Sequence, residues 1–324
     1  MSEKRINITQ YGNPEVMTLE EFSLPEPEPG TARVKIMAAG VNFIDVYQRK
    51  GEYKSNPPIL IGSEGAGIVE AANLNTFKIK TGDRVAWTGL SGSYATHGNF
   101  PINRLVKLPD TLSYEQGAAC MLQGMTAHYL ACSAYPLQVE DKCLIHAGAG
   151  GVGQLLSQIA KMKGAFVITT VSTGEKKIIS QKAGADEVIL YTQVDFEKQV
   201  QQLTRGEGVQ VVYDSVGRQT FEKSLNCLCR RGYLVLFGQS SGAVPSLDPQ
   251  TLNAKGSLYL TRPKLGDYIE SREELLWRSG EIFNWILSGK LKLNIDKTFP
   301  LLEAAKAHHY LENRETKGKV LLIP

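Results

Sequence analysis

Apolar and polar positions along the chain follow two textures. Over residues 1–122 the apolar residues come in short runs with the alternation of half-buried strands, as in Ala32-Arg33-Val34-Lys35-Ile36-Met37 and Gly67-Ile68-Val69-Glu70-Ala71. Pro25, Pro27, Pro29, Gly40, Gly62, Gly65 and Gly82 punctuate them, which predicts a small, irregular β domain. From Gln123 onward, strand-like and helical stretches alternate. The apolar run Cys143-Leu144-Ile145 precedes a helical pattern over 154–163, with Leu155, Leu156, Ile159 and Ala160 on one face. Gly164 closes that helix, and 165–171 has the composition of a buried parallel strand. Further strands are expected at 187–190, 208–214 and 232–238, so the region predicts a doubly wound parallel sheet. Past Arg262-Pro263 the pattern becomes a long amphipathic helix over 272–288, a second helix and a closing strand at 319–323. The expected organisation is a first domain over 1–122, a second over 123–262, and a tail over 263–324 that returns to the first.

Between strand and helix lies the run His146-Ala147-Gly148-Ala149-Gly150-Gly151-Val152-Gly153. It reads as a dinucleotide-binding turn: Gly148 for the tight bend, Gly150 for backbone approach to a pyrophosphate, and Gly153 for close helix–strand packing. Gly151, Val152 and Gly153 would present the helix N-terminus to phosphate charge. In the NAD form of this unit an acidic residue about 20 residues beyond the glycines holds the ribose 2′-hydroxyl. Here the strand end reads Thr170-Val171-Ser172-Thr173-Gly174, without an acid. Ser172 can hydrogen-bond a 2′-phosphate and Lys176 can pair with it, so NADPH is expected over NADH. Lys176 and Lys177 also read as the solvated face of a helix running to Lys182.

Length and composition narrow the function class. A chain of 324 residues, 42% of them hydrophobic, suits two domains with full cores. The net charge of +3 is small and no Lys/Arg-rich run stands out, so nucleic acid is not an expected ligand. No apolar run reaches about 18 residues, and Met1-Ser2-Glu3-Lys4-Arg5 leads into a strand-like segment without a hydrophobic signal core. A cytoplasmic address without membrane association is expected. The five cysteines are scattered apart from Cys227-Leu228-Cys229, which matches neither a zinc knuckle nor a Cys-x-x-Cys motif. They read as reduced core thiols. His97, His128, His146, His308 and His309 are dispersed and read as structural or surface residues.

The chain resembles the zinc-independent quinone oxidoreductases of the medium-chain dehydrogenase/reductase superfamily, the group that includes zeta-crystallin. The resemblance spans the whole chain. It rests on Ala39-Gly40-Val41-Asn42-Phe43-Ile44-Asp45-Val46-Tyr47, Gly62-Ser63-Glu64-Gly65-Ala66-Gly67, Gly82-Asp83-Arg84-Val85, the Gly148 to Gly153 turn, Tyr213-Asp214-Ser215-Val216-Gly217, Phe237-Gly238-Gln239-Ser240-Ser241-Gly242 and Thr316-Lys317-Gly318-Lys319-Val320-Leu321-Leu322. It implies a GroES-like β-rich catalytic domain wrapped around a Rossmann domain, with the active site in the cleft between them, and a homodimer. For the dimer, the strand at 257–261 is a candidate edge.

Zinc alcohol dehydrogenases of the superfamily carry a metal-binding Cys where this chain resembles them at Asn42, and a His where it has Ser63. The four-cysteine zinc lobe after Gly89 is replaced by a short loop over 90–99. Catalytic zinc needs about three protein ligands, so no metal is expected. A Tyr-x-x-x-Lys pair, the proton donor of short-chain dehydrogenases, is also missing. Without these electrophiles the chain suits an acceptor that takes hydride readily, a quinone or an activated enone, held by proximity and orientation.

By resemblance, Asn42, Asp45 and Tyr47 face the nicotinamide with Tyr53 nearby. Asn42 would hydrogen-bond a carbonyl or the ribose, Tyr47 and Tyr53 would offer ring faces and hydroxyls, and Asp45 would orient one of them. Thr126, Phe237, Gly238, Gln239 and Ser241 are carried to the nicotinamide side. Ser172, Lys176, Tyr191 and Arg314 are carried to the adenosine phosphate. The expected function is NADPH-dependent quinone reduction. Reduction of α,β-unsaturated ketones or aldehydes uses the same hydride geometry, and a non-catalytic NADPH-binding structural or RNA-binding protein is the reading from another class.

Overall fold

The computed structural model describes residues 2–53, 56–72 and 77–324. The chain divides into two compact units, 1–125 with 269–324, and 126–268. These divisions fall a few residues beyond the expected 122/123 and 262/263.

The first unit begins with β1 (Glu3–Ile8), β2 (Met17–Phe22), β3 (Thr31–Val41), α1 (Phe43–Lys50), β4 (Ile59–Leu60), β5 (Glu64–Ala72), β6 (Arg84–Thr88), β7 (His97–Pro101), β8 (Val106–Lys107) and most of α2 (Tyr114–Tyr129). The chain then enters the second unit: β9 (Lys142–Ile145), α3 (Gly151–Met162), β10 (Phe166–Val171), α4 (Gly174–Lys182), β11 (Glu187–Leu190), α5 (Phe196–Leu203), β12 (Val209–Asp214), α6 (Phe221–Asn226), β13 (Leu228–Leu236), α7 (Gln250–Ala254), β14 (Tyr259–Thr261) and α8 (Leu265–Tyr268). The tail adds α9 (Arg272–Leu287), β15 (Ile295–Pro300), α10 (Ala304–Glu312) and β16 (Lys319–Ile323) to the first unit.

In the first unit β3 is the organising strand. It pairs antiparallel with β5, β7 and β16. The tail therefore closes onto β3, with Val320 opposite Val41 and Leu322 opposite Ala39. Alternation sends Val41, Val320 and Leu322 into one core with Ile6 and Ile8. Val34 and Ile36 go into another with Trp87 and Phe100. The expected loop over 90–99 is shorter than anticipated, because His97, Gly98 and Asn99 pair with Lys35, Val34 and Arg33 as part of β7.

The second unit holds a six-stranded sheet in the order β11-β10-β9-β12-β13-β14, all parallel. Helices on the faces of such a sheet bury its strands on both sides. Cys143, Leu144, Ile145, Val211, Val212 and Tyr213 are accordingly buried. Each fully buried aliphatic side chain contributes about 1.5–3 kcal/mol of transfer free energy. Strand order reverses between β9 and β12, the switch point at which open α/β sheets bind ligands beyond their carboxyl ends. The strand expected at 232–238 starts earlier, at Leu228, and stops at Leu236, which leaves Phe237 and Gly238 in the loop at that carboxyl edge.

Candidate functional site

In the second unit, β9 runs into the glycine turn and α3 leaves it with Gly150 as its N-cap. Residues do not carry the roles in the order the spacing implied. The left-handed backbone belongs to Ala147, at φ 55°, and Gly148 answers a packing need instead. A Cβ on Gly148 would lie 2.5 Å from Thr169 Cβ and 2.7 Å from Ser180 Oγ, which hydrogen-bond each other at 2.8 Å behind the turn. A Cβ on Gly153 would collide with the Ala147 carbonyl and stand 2.9 Å from Gly148 Cα, so close approach is required there as expected. Gln154 ties the turn down by donating from Nε2 to Ala149 O at 2.7 Å. Gly151, Val152 and Gly153 thus open α3 with N–H groups that the helix itself leaves without partners.

Beside the turn, β10 and β11 end together, with Val171 opposite Leu190. Ser172 and Tyr191 follow these ends, linked by Tyr191 N–H to Val171 O at 3.2 Å and Thr192 Oγ1 to Ser172 O at 2.9 Å. Thr173 caps α4 by accepting from Lys176 N at 3.2 Å, which places Lys176 in the first helical turn on the same edge. Ser172, Lys176 and Tyr191 therefore lie on the same carboxyl edge of the sheet. Glu175, which the sequence reading passed over, shares that turn and is exposed.

Two further loops complete this edge. Phe237 N–H donates to Asp214 O at 2.9 Å, and Ser241 N–H to Val216 O at 2.8 Å. The Ser241 hydroxyl donates to Val216 O at 2.7 Å and accepts from Gln219 N at 3.0 Å, so it fixes the loop's shape. Gly238 packs against Ser215, where a Cβ would lie 2.6 Å from the carbonyl oxygen. Asp214, set aside on sequence grounds, anchors the neighbouring loop by accepting from Val216 N at 2.8 Å and Gly217 N at 3.0 Å. Ser224 bridges Asp214 to His146, at 2.9 and 3.0 Å, and His146 Nδ1 meets Thr170 Oγ1 at 2.9 Å. Burial pushes the His146 imidazolium pKa down, against the pull of Asp214. His146 is thus a buried structural histidine. Thr126 is buried on α2.

In the first unit the expected residues cluster where β3 ends and α1 begins. Asn42 is the N-cap of α1, and Asp45, three residues on, accepts from Asn42 N at 2.9 Å, half of a capping box. Asp45 also accepts from Ser63 Oγ at 2.8 Å and Tyr94 Oη at 3.1 Å. The tyrosine it orients is therefore Tyr94, in place of the Tyr47 or Tyr53 expected from the sequence. Asp45 is fully buried, and desolvation lifts its pKa to about 6 despite these donors. Tyr94 Oη meets His308 Nε2 at 3.2 Å. Burial drives the His308 pKa down to about 3. Tyr47 and Tyr53 meet at 5.2 Å between ring centroids with their planes tilted by 52°, and Phe43 lies 6.1 Å from Tyr47. Tyr47 is buried and Tyr53 half-buried. Arg314 lies in the exposed turn after α10 with φ 60°.

Sequence reading missed the ionic centre of this cluster. Glu64, fully buried at the start of β5, pairs with Lys319 of β16, 2% exposed. Glu64 Oε1 accepts from Leu122 N in α2 at 2.6 Å, and Asn42 Nδ2 donates to Oε2 at 3.0 Å. A Lys opening the apolar strand Val320-Leu321-Leu322 and a Glu between Ser63 and Gly65 were the available signals. At the two positions where zinc relatives carry ligands, Asn42 and Ser63 are engaged in these hydrogen bonds. Among the described residues no group of three or more His, Cys, Asp and Glu side chains is placed to hold a metal ion.

A GroES-like unit built on β3, joined to a parallel-sheet unit with a glycine turn at its switch point, defines a medium-chain dehydrogenase/reductase fold. Residues 28–137 match the alcohol dehydrogenase GroES-like domain, and residues 183–322 match the zinc-binding dehydrogenase family. The chain is 44% identical to quinone oxidoreductase 1 of Escherichia coli over 99% of both chains. It is 39% identical to the 2-haloacrylate reductase of a Burkholderia species over 98% of both. The crystal structure of Escherichia coli quinone oxidoreductase complexed with NADPH superposes with a TM-score of 0.96, at 43% identity, covering 99% of this chain and 100% of that one. The chain belongs to the quinone oxidoreductase family.

Proposed function

We propose that the protein is an NADPH-dependent quinone reductase. The observation that carries this reading is the turn at the start of α3, whose close packing at Gly148 and Gly153 leaves room for backbone only, beside a β10 end followed by Ser172 with no acid before α4, whose first turn holds Lys176 next to Glu175. That arrangement fits a dinucleotide with a 2′-phosphate, and the relatives named as quinone oxidoreductases support the acceptor.

NADPH supplies a hydride when bound. The chain's own work is binding and orientation. Gly150, Gly151, Val152 and Gly153 would hold the pyrophosphate at the helix N-terminus, and Ser172, Lys176, Tyr191 and Arg314 the 2′-phosphate side. Thr126, Phe237, Gly238 and Gln239 would flank the nicotinamide, with Ser241 holding that loop. Tyr47 and Tyr53 offer a planar acceptor their ring faces, Asn42 a polar contact, and Asp45 the anchoring of α1. A quinone needs little polarisation to accept hydride, so such a site suffices without an electrophile. A cytoplasmic homodimer completes the reading, supported by cysteines that, apart from Cys227 and Cys229, stand singly along the chain, and by the edge strand β14, where Tyr259 is half exposed.

Turnover tests this. The purified, chelator-treated protein should oxidise NADPH with 1,4-benzoquinone and 1,2-naphthoquinone, and NADH far more slowly. Oxidation confined to a simple alkenal would move the activity to enone reduction. Tight NADPH binding without turnover, together with salt-dependent RNA retention on filters, would favour the non-catalytic reading.

A further inference from the structure

Ala147 stands in the glycine turn with left-handed backbone, at φ 55°. Glycine takes that conformation freely, whereas a side chain makes it unfavourable. Ala147 is exposed, so burial of its methyl group does not offset the strain. Strain of this kind persists where the surroundings over-determine it, and here both neighbours are pinned. Gly148 N–H donates to Thr170 O at 3.1 Å, and His146 N–H donates to Tyr213 O at 3.1 Å. The His146 ring is held at both nitrogens, by Thr170 of β10 at 2.9 Å from Nδ1 and by Ser224 of α6 at 3.0 Å from Nε2, with Phe196 of α5 edge-on at 4.9 Å. Turning the ring over would set carbon atoms against both partners.

The hydrogens of this chain can be placed. Asp214 is its terminal acceptor, since Val216 N, Gly217 N and Thr220 Oγ1 donate to it as well as Ser224 Oγ. Ser224 has one hydroxyl hydrogen and gives it to Asp214, so it accepts from His146, which carries its proton on Nε2. The ring is neutral because burial pushes its pKa down, which leaves Nδ1 to accept from the Thr170 hydroxyl. From Thr170 to Asp214 every donor meets an acceptor. The left-handed Ala147 aims its carbonyl at Gly150 N–H, 2.8 Å away, and against Gly153, so a change of φ at Ala147 would move the start of α3.

We propose that Thr170, His146 and Ser224 are positioning residues that hold Ala147 in its left-handed conformation and so set the turn's N–H groups for the NADPH pyrophosphate. Every group involved belongs to the second unit, and the role rests on the NADPH reading above.

A glycine at 147 should make the chain dispensable. NADPH affinity is measured for the wild type, Ser224→Ala, Ala147→Gly and the double variant. Ser224→Ala should bind NADPH about three- to tenfold more weakly, the range of a single hydrogen bond. The double variant should bind within about twofold of Ala147→Gly, because glycine holds positive φ without support. Thr170→Val breaks the chain at its other end with little change of shape and should show the same loss and the same rescue. Loss of packing alone would leave the deficit in the double variants, and that result would overturn the proposal, as would wild-type affinity in both Ser224→Ala and Thr170→Val. Two-bond proton–nitrogen correlation spectra, with His146 identified by its absence in His146→Gln, should show its proton on Nε2 without any cofactor present. A proton on Nδ1 would overturn the chain. A wild type that fails to bind NADPH would overturn the NADPH reading itself, and this role with it, whatever the tautomer.

Discussion

On the proposed reading, Lys176 and Arg314 would carry the cofactor preference at the level of single residues. Each offers charge that a 2′-phosphate can use and a 2′-hydroxyl cannot. Lys176→Ala and Arg314→Ala are therefore expected to weaken NADPH binding by about tenfold or more, the scale of a charge-assisted hydrogen bond, while NADH binding changes little. Fluorescence titration with both nucleotides checks this, and equal losses would remove these residues from the phosphate site. The sequence made this side of the site legible because the glycine turn, the β10 end and the start of α4 are close together in the chain. Glu64 and Lys319 were illegible for the opposite reason, standing 255 positions apart. Tyr94 and His308, 214 apart, were equally hidden. Asp45 stands out in the sequence, but the tyrosine it holds is Tyr94, because the tyrosines nearest in sequence are not the one in contact.

The glycine turn and the helix it opens work as one element. Gly153→Ala would gain about 1 kcal/mol of helix propensity but would drive a Cβ into the Ala147 carbonyl, and overpacking of this kind costs about 1–3 kcal/mol. Because the obstacle is backbone, relief requires α3 to move away from β9. Lower thermal stability and a loss of NADPH affinity are expected together, and a variant that gained stability with affinity intact would show that the close approach is unnecessary. Strand and helix positions followed from periodicity here, whereas the turn's inner assignment did not. Spacing pointed to Gly148 as the bend, and the bend is at Ala147, because positive φ is a property of backbone that a glycine pattern only hints at. The loop read over 90–99 failed for a similar reason: the mixed polar residues of β7 carry no alternation, and their pairing with β3 is what makes them a strand.

For the molecule as a whole, three buried titratable groups contribute to the acid response in opposite senses. The His308 pKa lies near 3 in the folded chain, against an ordinary 6.5, and His146 is depressed as well. Their contribution to stability is present above about pH 6.5 and is lost as pH falls through the folded values, since only the unfolded chain takes up those protons. Asp45, raised from 3.8 to about 6, acts in the other sense. Its contribution is present below pH 3.8 and lost as pH rises through 6. Arg49, Lys50 and His309 add positive charge around His308 and deepen its depression. His308→Gln, which keeps a donor and an acceptor for Tyr94, should flatten the fall in thermal midpoint between pH 6.5 and 4. Asp45→Asn should steepen it. Unchanged profiles would mean these groups are not desolvated as the fold implies.

Hydride passage from nicotinamide to quinone is the central claim, and a kinetic isotope effect reads it directly. The protein is mixed with 1,2-naphthoquinone and NADPH deuterated at the transferred C4 position, and cofactor oxidation is followed by absorbance in a single turnover. The account predicts oxidation that is slowed by the label and unchanged by prior chelator treatment. NADPH that binds tightly and is not oxidised by the quinone would contradict it.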